Sequence, residues 1–119
     1  MLLADTSLWI EWFRVGCKEL HDLLMRDEVA THWVVIGELS TGNLPKRQST
    51  LANLRALYHV HSATELETLT LIENHRLYGK GIGWNDAQLL ASALIHHVPL
   101  WTRDKRLREI AQKLHCSWD

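Results

Sequence analysis

The chain has 119 residues, with 13 Lys and Arg against 14 Asp and Glu, and two cysteines. That length predicts a single domain over 1–119, able to bury about two-thirds of its unfolded surface without a disulfide or metal staple. The balanced charge requires any phosphate-binding surface to be local, and Cys17 and Cys116, far apart and in no CxxC pair, point to reduced thiols.

Taken in order, Met1-Leu2-Leu3-Ala4 reads as a short buried strand that delivers Asp5 to its carboxyl end. Leu8, Trp9, Trp12 and Phe13 then give an apolar stripe to a helix capped by Thr6 or Ser7. Leu20, Leu23 and Leu24 mark a second helix over 18–26, and 28–30 is a second strand. Thr31 is the expected cap of a helix over 32–41 that stops at Gly42 and carries Glu38. Gly37 costs that helix about 0.8–1 kcal/mol relative to Ala, which suggests that something approaches it closely.

Pro45 suits the start of the next helix, and 58–61 alternates like a third strand. Over 64–78, Leu66, Leu69, Ile72, His75 and Leu77 fall near one side of an amphipathic helix. Three glycines in 79–83 form a flexible loop, after which Asn85 or Asp86 opens a helix with Ala87, Leu90, Ala91, Leu94 and Ile95 at helical spacing. A strand over 98–102 precedes Asp104, the expected cap of a last helix, and 115–118 offers one more edge strand. This alternation predicts an α/β fold, a three-layer α/β/α sandwich around a parallel sheet of about five short strands. The longest uncharged run, 87–102, is too short to span a bilayer and includes Gln88, His96, His97 and Pro99. No basic segment precedes Asp5, so the start does not read as a signal peptide, and a cytoplasmic protein is expected.

Four acids stand out by placement. Asp5 and Asp104 each follow a predicted strand, at the sheet edge where ligands of open α/β folds bind. Asp86 opens the helix behind the glycine loop, and Glu38 lies just over two turns beyond the second strand. Singly, Asp86 and Asp104 are more often helix caps than ligands, and Glu38 could be a solvated helix residue. Asp5 is harder to dismiss, because a carboxylate directly after a buried strand is costly unless something pairs with it. Several carboxylates in one pocket tolerate each other when a cation neutralises them, and oxygen-only donors favour Mg²⁺ or Mn²⁺ over zinc.

The segments Leu3-Ala4-Asp5-Thr6-Ser7-x-Trp9-Ile10, Val35-Ile36-Gly37-Glu38-Leu39, Gly83-Trp84-Asn85-Asp86-Ala87-x-Leu89-Leu90-Ala91-x-Ala93 and Leu100-Trp101-Thr102-Arg103-Asp104-Lys105-x-Leu107 resemble, in order, the four signature segments of PIN-domain proteins of the VapC toxin type. That resemblance implies a PIN-like fold, a Mg²⁺- or Mn²⁺-dependent endoribonuclease, a homodimer, and inhibition by a small VapB-type antitoxin. Asp5, Glu38, Asp86 and Asp104 would form the acidic quartet. Thr6, Ser7 and Thr102 fit supporting hydroxyl positions with a place in substrate binding, and Lys105 and Arg106 are candidates for the RNA backbone. His59 and His61 could face one side of a strand, as two zinc ligands might, but no third ligand stands at suitable spacing. The competing expectations are a receiver-like module, for which 58–62 supplies no phosphoacceptor Asp, and a non-catalytic, metal-binding RNA-binding domain.

Overall fold

The computed structural model describes residues 1–119, the whole of the given sequence. Eleven elements follow one another: β1 (Leu2–Ala4), α1 (Thr6–Val15), α2 (Lys18–Met25), β2 (Val29–Thr31), α3 (Trp33–Ser40), α4 (Arg47–Arg55), β3 (Tyr58–His59), α5 (Glu65–His75), α6 (Trp84–Ile95), β4 (Leu100–Trp101) and α7 (Lys105–Lys113). The four strands are all parallel in the order β3-β2-β1-β4. The chain steps outward from β1 through β2 to β3, then crosses to the far side of β1 for β4, so the order reverses at β1. Consecutive strand residues point to opposite faces, and every residue of β1, β2 and β4 is buried, so helices cover both faces of the sheet.

The core runs through the sheet, with Leu2, Leu3, Leu100 and Trp101 from the strands meeting Leu8, Leu20, Val35, Leu89, Leu90 and Leu107 from the helices. No helix is long and apolar enough to cross a membrane. The expected fifth strand is reduced to one parallel bridge between Leu100 and Ser117, because β4 pairs over only two residues. Tyr58 and His59 form an exposed edge, and of the expected strand over 58–61 only Val60 is buried.

Three local expectations change. Leu66 and Leu69 point outward, at 72% and 44% exposure, while Thr68 is the buried residue of α5. A capping box between Thr64 and Glu67 fixes the start of α5, and Thr68 Oγ1 donates to the Thr64 carbonyl, so the hydroxyl is already satisfied on the inner face where α5 packs on α6. Gly37 has open space where a Cβ would stand, so no close approach explains it. The cap of α3 is His32 rather than Thr31, which belongs to β2.

His32 is fully buried; its Nδ1 accepts from the Val34 N–H at 3.0 Å, and burial pushes its pKa down to about 4. The unfolded chain therefore binds more protons than the native one between about pH 4 and pH 6.5, and stability is lost as pH falls through that window. The expected loss from this group is at most about 3 kcal/mol. Urea unfolding at pH 7 and pH 4.5 checks it: His32→Asn, which removes the titrating ring but keeps a capping acceptor, flattens the fall.

Candidate active site

Asp5 occupies the N-cap position of α1, yet its carboxylate makes no capping bond. It turns instead toward two hydroxyls, Ser7 Oγ donating to Oδ2 at 2.8 Å and Thr102 Oγ1 donating to the same oxygen at 2.7 Å. Only 5% of Asp5 is exposed, so these bonds offset part of its desolvation. Thr102 lies just beyond β4, and its Oγ1 also accepts from the Asp104 N–H at 3.0 Å, which ties the turn after β4 to the end of β1. The Arg103 N–H donates to Ser7 Oγ at 2.9 Å and strengthens the same seam.

The remaining acids come from three helices. Glu38 on α3 accepts at Oε1 from Thr6 Oγ1 at 2.7 Å, which draws it to the start of α1. Asp104 caps α7, with Oδ1 accepting from the Leu107 N–H at 3.0 Å. Asp86 lies in the first turn of α6, half-buried, with Oδ2 accepting a long 3.4 Å bond from the Gly83 N–H. Thr6, Ser7 and Thr102 thus direct their hydroxyls onto carboxylates.

The four carboxylates share one electrostatic environment. The Asp86 pKa is raised, chiefly by burial and then by the negative charges of Asp5, Asp104 and Glu38, against the lowering effect of the Gly83 N–H. None of the four has a Lys or Arg partner; the salt bridges of the chain join Lys18 to Asp22, Arg26 to Glu28, Arg103 to Glu11 and Arg108 to Asp119. Arg103, directly before Asp104, is engaged by Glu11 at 3.1 Å and lies over the Trp101 ring.

Each carboxylate commits one oxygen to the protein and leaves the other without a partner. These spare oxygens are open to solvent, since the only fully enclosed side-chain atoms lacking a partner are Trp9 Nε1 and Thr31 Oγ1. No three His, Cys, Asp or Glu side chains are drawn close enough to form a closed metal cage. The quartet's all-oxygen donor set and uncompensated charge fit a hard divalent cation.

Lys105 and Arg106, on the exposed first turn of α7, have no acidic partner. Arg106 lies across Gly81, in the space a Cβ would need, and Gly81 has a φ of +83°. A side chain at residue 81 would be strained by that φ, while the exposed Arg106 side chain could move aside. His59 and His61 form no metal site; the His61 ring meets His96 edge-on, at 5.8 Å between ring centres.

The PIN domain family matches residues 2–113. The chain belongs to that family. Within it, the chain is 45% identical over 109 residues to Ribonuclease VapC32 of Mycobacterium tuberculosis, covering 91% of this chain and 88% of the relative. This bears out the resemblance carried by the four segments and sets aside the receiver-like alternative. Solved structures of the same fold include a toxin–antitoxin complex from Klebsiella pneumoniae, at 22% identity and TM-score 0.66 over 87% of both chains. FitAcB from Neisseria gonorrhoeae matches at 18% identity and TM-score 0.67 over 94% of both chains. PIN-domain VapC nucleases are generally metal-dependent, in agreement with the chemistry of the cluster.

Without metal, Asp86 is an unpaired, half-buried anion facing three others. Asp86→Asn is therefore expected to raise the metal-free Tm by about 3–5 °C, corresponding to about 1 kcal/mol, and to abolish the further rise that Mn²⁺ gives the wild type. Differential scanning calorimetry with and without Mn²⁺ checks both.

Proposed function

We propose that the chain is a divalent-metal-dependent endoribonuclease, the toxin of a VapBC-type pair, acting in the cytoplasm with Mg²⁺ or Mn²⁺. The observation that carries this reading is the quartet itself: Asp5, Glu38, Asp86 and Asp104, each with a spare oxygen and none with a cationic partner. The name of the Mycobacterium tuberculosis relative, a VapC ribonuclease, supports RNA as substrate. A neighbour described as a toxin–antitoxin complex supports a small antitoxin as partner. A homodimer belongs to the same reading.

In this mechanism Asp5 and Asp86 are the leading metal ligands, with Asp104 and Glu38 completing the anionic wall. When bound there, a divalent ion would supply a more acidic water and offset charge on the phosphate. Ser7 and Thr102 hold Asp5 in place by donating to one of its oxygens, so the other stays available. Thr6 does the same for Glu38. The site repels RNA unless its charge is offset, and Lys105 and Arg106 bind the backbone beside it without reading bases.

Purified protein is expected to cut RNA with Mg²⁺ or Mn²⁺, to stop when EDTA is added, and to lose more than about a hundredfold in rate on Asp5→Asn. Cleavage that resists chelator and survives the substitution contradicts this function.

A further inference from the structure

The quartet draws Glu38 from α3 and Asp86 from α6, two helices that touch but are far apart in sequence. Both contribute buried apolar side chains to the core, Val35 and Leu39 from α3 and Leu89 and Leu90 from α6. Apolar contact is non-directional and by itself leaves the rotation of one helix against the other loosely set.

A buried polar network between the same helices supplies the missing direction. Because His32 Nδ1 accepts from the Val34 N–H, the neutral ring carries its proton on Nε2, which donates to Ser92 Oγ at 2.9 Å. Ser92 Oγ also accepts from the Ala63 N–H at 2.8 Å and donates to the Gln88 carbonyl at 2.7 Å. Every hydrogen-bonding position on the ring and the hydroxyl is used, and both residues are fully buried. Misalignment would leave a buried donor or acceptor unpaired, which is unfavourable. The network is also placed symmetrically: His32 precedes Glu38 by six residues, and Ser92 follows Asp86 by six.

We infer that His32 and Ser92 are positioning residues for the carboxylate site, their hydrogen bond fixing α3 against α6 and so placing Glu38 relative to Asp86. The inference rests on the nuclease function proposed above. It assigns no chemistry to the imidazole, which lies sealed in the core and touches none of the four acids.

His32→Asn separates the ring's two tasks, since an asparagine amide can still accept from the Val34 N–H but is too short to reach Ser92. Ser92→Ala breaks the same bond from the other side. Each is expected to lower kcat about ten- to a hundredfold, the range for a misplaced catalytic group, with KM within about twofold. Mn²⁺ affinity should fall severalfold, as for loss of an outer-shell partner, and the Ala63 amide should exchange faster in Ser92→Ala. The shape of the pH–rate profile should not change, because the ring does not titrate in the reaction. The double variant should be no slower than the worse single one, because both break one link.

Wild-type kcat and Mn²⁺ affinity in a folded His32→Asn overturn the inference, and so does a double variant whose loss is the product of the two singles. If the wild-type chain cuts no RNA, the proposed function falls, and Mn²⁺ affinity still decides the positioning claim: lowered in both variants if it holds, unchanged if it does not.

Discussion

The structure depends on an electrostatic debt left open: four carboxylates gathered at one end of a small domain, with no Lys or Arg placed to answer them. The ion pairs of the chain, such as Arg103 with Glu11, lie elsewhere. At the quartet it supplies neutral donors instead, the hydroxyls of Thr6, Ser7 and Thr102 and the N–H groups of Gly83 and Leu107. Such donors orient a carboxylate without cancelling its charge. The combination holds anions ready for a cation that the protein itself does not provide.

The fold explains how so short a chain assembles this. Strand order reverses at β1, so the carboxyl ends of β1 and β4 lie side by side although nearly the whole sequence separates them. Thr102 joins the two ends through its bonds to Asp5 and the Asp104 N–H. That reversal is where open α/β sheets generally offer a crevice. Glu38 and Asp86 are brought to it by the crossover helices, whose mutual alignment relies on the buried bond between His32 and Ser92.

Much of this was legible in the sequence because its physics is local. An apolar strand ending in Asp5, an Asp at the start of the last helix and an acid behind a glycine loop are patterns within a few residues, and their order matched a family. What was not legible depends on partners far along the chain. Thr31 was the expected cap of α3 because hydroxyls are strong caps; His32 takes the place because its second nitrogen meets Ser92, 60 residues on. Leu66 and Leu69 fit a helical stripe, but which side of α5 faces inward is set by its cap and by packing on α6. The edge strand near Cys116 shrank to a bridge because β4 offers only two residues to pair with.

The central claim is that one hard cation is shared among these carboxylates. Anomalous scattering from a crystal of the protein grown in Mn²⁺ tests it most directly. The account predicts a peak at about 2.1–2.2 Å from carboxylate oxygens of both Asp5 and Asp86, the distance expected of a small hard ion. A saturated crystal with no peak among the four acids, or with the ion held elsewhere on the surface, would contradict it.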